Sequence, residues 1–363
     1  MLTSDSRVML IAPHPDDESL ACSVILQRAV RAGSSIRIVY ATDGDNNPWP
    51  QRLFERKWRI DASDRKRWGK LRRSEASAAL RMLGVHANHT QFLALPDQGL
   101  TNLLRTDCKS TLELLAAIIR NCSPTHLLVP SISDTHPDHS ALAVMLRLVL
   151  AEIFEPGLST LSYAVHGKSE AFFGRAEPLL QSQSEAEKKL GAILCHKTQI
   201  KLSRKRFLGY AHRPEQLLNL GQNGAPFADG PIREVVRQDD VLCVKMKLSP
   251  KLLQGGKAVL FLLGKDSDGL VRCLKACLTG RSGKIDIVNV SADLRTTGHY
   301  RGDAFAGEFA IPIDLFSPAH ALFVKLERRS LFFDEAGWVE VPPAVRVPHT
   351  ESLVAARPSL VFR

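Results

Sequence analysis

The chain lacks a long apolar run, a paired-cysteine motif and a low-complexity tract. No stretch approaches the ~18 apolar residues that a membrane-spanning helix needs, so no transmembrane segment is expected. Residues 1–6 lack the basic flank and apolar core of a secretory signal, which favours a cytoplasmic location. Cys22, Cys108, Cys122, Cys195, Cys243, Cys273 and Cys277 are scattered and odd in number, and none forms a C-x-x-C pair. That pattern excludes a disulfide framework or a thiolate zinc site and suits small apolar side chains in a reducing compartment. Recognisable nucleic-acid motifs are also missing, although the net charge is +10 and the pI near 9.4. Nucleic acid is therefore a weak candidate partner.

What remains is ordinary globular material, 44% hydrophobic and 24% charged, and long enough at 363 residues for two domains. Much of the basic excess lies in residues 51–81, where eleven Lys and Arg face four carboxylates. Such a run suits a solvated helix face, and it could also meet an anionic lipid surface or a phosphate-bearing substrate. Trp49, Trp58 and Trp68 are interleaved with it, and residues 48–70 read as an insertion or lid. The aromatics could line a groove or anchor the segment to the body.

Residues 7–11 form a short apolar run of the kind that makes a buried strand, and residues 19–31 have helical spacing. Between them stand His14, Pro15, Asp16 and Asp17, at a strand end and a helix start. The same grammar recurs at residues 126–130, followed by His136, Pro137, Asp138 and His139 and another helical stretch. Strands at 35–41 and 89–95, with helices at 71–83 and 111–120, complete a βα alternation. It predicts a Rossmann-like parallel sheet with helices on both faces. A fifth strand at 160–165 and helices at 184–196 and 199–210 are expected to follow.

Beyond about residue 214 short runs at 241–247, 258–263, 284–290 and 321–326 are separated by turn residues. They predict a smaller β-rich, sandwich-like domain. The expected division is a metal-dependent domain at 1–215 and a β-rich accessory domain at 225–363, with the linker near residues 221–226.

In a parallel sheet the two His-Pro-Asp turns share one edge, where ligands bind. Asp16 and Asp17 could simply cap a helix. Together with His14, His136, Asp138 and His139, however, they offer nitrogen and carboxylate donors without thiolates, which suit a catalytic zinc or similar divalent ion. Such an ion with a nearby carboxylate base and a protonated imidazole for the oxyanion is equipment for amide hydrolysis.

Residues 12–18 (Ala-Pro-His-Pro-Asp-Asp-Glu) with His136-Pro137-Asp138-His139 resemble the PIG-L/LmbE-like N-acetylglucosaminyl deacetylase family. Lesser features agree: Thr42-Asp43-Gly44, Arg72-x-x-Glu75, Leu95-Pro96-Asp97 and His196-Lys197-Thr198-Gln199. The resemblance spans roughly residues 6–210 and implies zinc ligands His14, Asp17 and His139, a base in Asp16, an oxyanion donor in His136 and an orienting carboxylate in Asp138. The i, i+3 spacing of His14 and Asp17 lets both face one ion. It further suggests Arg72 and Asp97 as sugar contacts. Some members carry Tyr two positions before the first His of the second motif, where this chain has Asp134.

The expected activity is a zinc-dependent removal of acetate from a GlcNAc-type unit in a glycoconjugate, glycolipid or polysaccharide precursor. Two other readings stay open: hydrolysis of another N-acyl conjugate, such as a thiol sugar, and a non-catalytic carbohydrate- or nucleic-acid-binding protein. Peripheral membrane contact through residues 51–81 is a further expectation.

Overall fold

In the computed structural model, residues 2–153, 157–167, 176–220, 230–248, 258–292, 294–330 and 333–341 are described. The expected linker at 221–226 lies outside them. Strands β1 (Arg7–Ala12), β2 (Ser35–Thr42), β3 (Thr90–Leu95), β4 (His126–Pro130) and β5 (Ser159–Tyr163) run parallel in the order β3-β2-β1-β4-β5. Antiparallel β7 (Glu215–Asn219) and β6 (Glu177–Leu179) extend the β5 edge. β1 is buried at every residue except Arg7, because helices cover both its faces; that is why it reads as an unbroken apolar run.

One face is packed by α1 (Asp17–Ala21), α2 (Ser23–Arg31) and α4 (Ala62–Leu83), with α8 (Gln183–Cys195) and α9 (Lys197–Ala211). The other is packed by α5 (Leu100–Thr106), α6 (Lys109–Cys122) and α7 (Pro137–Leu150). The helix expected at 19–31 breaks at Cys22, whose φ of −132° and ψ of 7° leave the helical region. The supposed lid holds α3 (Pro48–Glu55) and the first turns of α4. α4 starts at a reciprocal Asp61–Asp64 capping box, earlier than the apolar spacing predicts, and stops at Gly84 with φ 88°. Among the described residues no helix is long and apolar enough to cross a membrane.

Among the described residues the C-terminal region forms one hydrogen-bonded antiparallel sheet of nine strands, where a two-sheet sandwich was expected. Its strands are β8 (Ile232–Gln238), β9 (Val241–Lys247), β10 (Ala258–Lys265), β11 (Val271–Leu278), β12 (Gly283–Asn289), β13 (Arg295–Gly302), β14 (Ala306–Pro312), β15 (Leu322–Glu327) and β18 (Val339–Val341). The order is β18-β15-β10-β11-β12-β13-β14-β9-β8, and β16 (Arg329–Ser330) with β17 (Phe333–Asp334) forms a small ribbon.

Strand alternation sorts the side chains of this sheet into two cores. Leu260 and Leu262 of β10, Leu274 of β11 and Val324 of β15 join Val244 and Phe309 in the sheet's own core. Phe261, Leu263, Cys273 and Phe323 point the other way and share a core with α5, α6 and α7. β10 is covered on both faces, so it reads as continuously apolar, while one-sided β9 alternates. Arg105 of α5 binds Glu327 at 2.6 Å and lies 3.5 Å over the Phe261 ring, extending the junction with charge.

Candidate active site

The chain direction reverses its winding between β1 and β4, which are hydrogen-bonded neighbours, so both His-Pro-Asp turns emerge side by side. A crevice at such a switch point is where open α/β sheets bind ligands. The first turn is held under strain. Asp16 has φ 152° and ψ −21°, a conformation that side-chain-bearing residues rarely adopt. Its N–H donates to Glu18 Oε2 (3.0 Å), and its carbonyl accepts from Ser19 and Leu20 (3.0 and 3.1 Å). Arg72 donates to the Pro15 and Gly44 carbonyls (both 2.8 Å) and to Asp16 Oδ2 (3.0 Å). Glu18 is in turn fixed by Ser19 Oγ (2.6 Å) and His196 Nε2 (2.9 Å). Burial opposes its charge, but His196 together with the Ser19 and Tyr40 hydroxyls lowers the Glu18 pKa.

His14, Asp17 and His139 converge. His14 Nδ1 lies 3.2 Å from His139 Nε2; Asp17 Oδ1 is 3.4 Å from His139 Nε2, and Asp17 Oδ2 is 3.8 Å from His14 Nδ1. Each imidazole turns its other nitrogen to carboxylates. His14 Nε2 faces Asp97 (3.2 Å) and Asp138 (3.4 Å), and His139 Nδ1 faces Asp134 (3.2 Å). With the outer nitrogens turned to carboxylates, the inner nitrogens of both rings face one point beside the Asp17 carboxylate, where their neutral forms could offer lone pairs. Three acceptors so placed repel unless a cation lies between them. Four-coordinate zinc with donors at ~2.1 Å sets them ~3.4 Å apart, so the residues fit a divalent ion. His136 adjoins the cluster, with one ring nitrogen within 4.8 Å of nitrogens of His14 and His139. Burial opposes charge on His14 and His139, yet their carboxylate neighbours hold both pKa values up. Burial pushes Asp17 up to about 6 against the pull of His139.

The structure redistributes three of the expected roles. Asp138 does not meet the His136 ring through its carboxylate: that group faces His14 and accepts from the Gln98 and Leu100 N–H groups (2.6 and 3.1 Å). It is the Asp138 backbone N–H that donates to His136 Nδ1, at 3.2 Å, so the ring is fixed by main chain. Asp97, expected at the sugar, supports His14 and also accepts from the Asn46 N–H at 2.6 Å. Arg72, expected there too, spends its guanidinium on the first turn, although both residues border the pocket. Asp134, where some relatives have Tyr, backs His139 and accepts from the N–H groups of His136, Val165 and His166 (2.8, 2.9 and 3.1 Å).

The pocket beyond the cluster is lined by His14, Asp16, Asp17 and His136, and by groups that sequence reasoning missed. His166 follows β5, and its ring lies 5.4 Å from that of His136. Gln199 and Tyr210 come from α9, whose His-Lys-Thr-Gln start was the available signal. Phe333 comes from β17 of the C-terminal region and lies 5.7 Å from His136, edge to face. The same ribbon grips the second turn from outside. The Asp334 N–H donates to the Thr135 carbonyl (2.9 Å), and the Trp338 N–H to that of Ile132 (2.7 Å). Gly337 packs so closely that a Cβ there would lie 2.0 Å from the Ile132 carbonyl oxygen.

Residues 9–150 match the family model described as PIG-L, GlcNAc-PI de-N-acetylase. A 1D-myo-inositol 2-acetamido-2-deoxy-alpha-D-glucopyranoside deacetylase from Mycobacterium sp. strain KMS is 30% identical over 148 residues, 37% of this chain and 46% of that protein. The Mycobacterium tuberculosis H37Ra protein of that name is 26% identical over 151 residues, 38% and 48% of the two chains. The chain thus spans about half the length of these curated relatives. The solved N,N'-diacetylchitobiose deacetylase from Pyrococcus horikoshii is 20% identical, with a TM-score of 0.47 over 61% of this chain and 87% of that one. Residues 9–150 of this chain form a PIG-L family domain, and the mycobacterial relatives named above are deacetylases by name.

Proposed function

We propose that this protein is a metal-dependent amide hydrolase that removes the acetyl group from an N-acetylglucosamine-type amino sugar, in a glycoconjugate, glycolipid or polysaccharide precursor. The observation that carries the reading is the convergence of His14 Nδ1 and His139 Nε2, 3.2 Å apart, with one Asp17 oxygen 3.4 Å from His139 and the other 3.8 Å from His14, in a pocket that Asp16 also lines. His14, Asp17 and His139 would hold zinc or another divalent ion. Bound there, it supplies a Lewis acid for the amide carbonyl and lowers the pKa of a water toward ~7.

Asp16 serves as base toward the attacking water and then returns the proton to the leaving amine, so that acetate and a free amine result. The constrained Asp16 backbone and the Arg72 hydrogen bond aim its carboxylate into the pocket. His136 has Nδ1 engaged as an acceptor, which leaves Nε2–H to donate to the developing oxyanion. Burial, with His14 and His139 as neighbours, holds its pKa well below the ordinary range, so this donor is a neutral imidazole. Asp138 and Asp97 orient His14, and Asp134 orients His139, as carboxylates commonly do for ligating histidines.

The test is acetate release from a panel of N-acetylglucosamine derivatives by protein stripped of metal and then given zinc. Metal-dependent acetate release supports the reading. Tight zinc binding without acetate from any derivative overturns it.

A further inference from the structure

The mouth of the pocket opens beside a surface that the catalytic proposal does not use. Trp49 and Leu53 lie one turn apart on α3 and are 49% and 48% exposed; Trp58, in the turn that follows, is 76% exposed. α9 packs against α3 and adds Leu202, 50% exposed, while the Lys201 ammonium sits 4.9 Å over the ring of half-exposed Phe54. Solitary exposed apolar residues are normal, but a contiguous group of large ones marks a contact surface.

Cations surround the group. Arg56, Arg59, Lys201, Arg204 and Lys205 are exposed and form no ion pair among the described residues. Arg52 lies between two of the aromatics, 5.0 Å from the Trp49 ring and 5.3 Å from that of Trp58.

We infer that the surface formed by α3, the turn after it and α9 docks onto an anionic lipid bilayer. Trp and Leu enter the boundary between headgroups and acyl chains, and Lys and Arg meet the phosphates. A single-stranded nucleic acid would use the cations and the tryptophans by stacking, but it offers nothing to bury Leu53 and Leu202. The two helices also carry pocket-lining residues, Asn47 and Pro50 at the start of α3 and Leu202 and Ser203 on α9. Docking therefore sets the pocket mouth at the lipid surface.

The experiment is flotation of the full chain with vesicles of equal parts phosphatidylglycerol and phosphatidylcholine, and with phosphatidylcholine alone. The expected result is binding to the anionic vesicles that weakens with salt. Trp49→Ala combined with Trp58→Ala should weaken it roughly tenfold or more. Lys201→Glu combined with Lys205→Glu should do so by a similar factor and abolish the preference for anionic lipid. All four positions are exposed, and the circular dichroism of both variants should match wild type.

No flotation of wild type overturns the inference, as does flotation that neither pair of substitutions weakens. So does tighter binding to single-stranded RNA than to vesicles at equal salt, or a solution dimer that the Trp pair dissolves. Docking needs no turnover. Vesicle binding without acetate release would sink the catalytic proposal alone, and acetate release without vesicle binding would sink the docking alone.

Discussion

The α/β region and the β-rich region bury different kinds of side chain. At the carboxyl edge of the first, His14, Asp16, Asp17, Glu18, Arg72, Asp138 and His139 are all out of water. The core of the second is apolar, built from alternating residues such as Val244, Leu262, Phe309 and Val324. Its buried ion pair, Lys325 with Asp334, lies on the face toward the α/β region, where Lys325 sits 5.8 Å from the Trp338 ring. Burying charge is costly, and a fold tolerates it where partners are exact. The difference teaches that the first region holds the candidate site and the second braces it, through main-chain hydrogen bonds and one aromatic side chain.

The sharpest way to break that division is at Asp16. Asp16→Asn is expected to lower the rate of acetate release by roughly 10²- to 10⁴-fold while zinc binding, measured by calorimetry, persists. Wild-type-like turnover would move the base elsewhere. Next comes the support of the ligands. Asp134→Asn removes the negative charge behind His139 and should weaken zinc binding by roughly 10- to 100-fold. An unchanged affinity would detach His139 from the metal.

The β-rich region is tested at Gly337. Gly337→Ala forces a Cβ toward the Ile132 carbonyl and should shift the turn that carries His136, lowering kcat/KM by about tenfold. Full activity in a folded Gly337→Ala protein would show that the bracing is idle. A milder change is expected for Phe333→Ala, which removes one pocket wall: KM should rise a few-fold with zinc affinity unchanged.

The smallest effect concerns acid stability, read by thermal melts across pH. The Arg28 hydrogen bond, with Arg31 adding to it, pulls Glu185 down to about 2 against burial. Its folded pKa lies below the unfolded one, so the contribution is present above ~pH 4.3 and is lost as pH falls toward 2. Because both arginines are substantially exposed, Glu185→Gln should cost only about 1 kcal/mol at pH 7 and nothing near pH 2. A loss independent of pH would mean that Glu185 acts as a helix cap rather than as a charge.

Much of this molecule is local. β1 and β4 announce themselves as short apolar runs, and each is followed by a His-Pro-Asp turn whose Pro opens or precedes a helix. Parallel winding then places both turns at one edge, so the convergence of His14, Asp17 and His139 could be foreseen. The roles of Asp97, Asp134 and Asp138 could not. Asp138 sits one residue from His139 and two from His136, yet its carboxylate serves His14, which is remote in sequence. Chain proximity and spatial proximity part wherever a backbone N–H, here that of Gln98 or Leu100, captures a carboxylate first.

The nine-stranded sheet was not legible in the sequence for a related reason. Alternation reports which faces are buried, but not whether successive strands hydrogen-bond into one sheet or stack as two. β10, apolar on both faces, already implied a second partner surface, and that surface proved to be α5 to α7. By itself the sequence determined most of the βα elements around the two His-Pro-Asp turns and the donor types those turns carry, because those depend on neighbours within a few residues. Only the tertiary structure decided which carboxylate backs which histidine, that Phe333 enters the pocket, and that α3 and α9 share one basic, tryptophan-bearing face. Those are contacts between residues far apart in the chain, and packing alone brings them together.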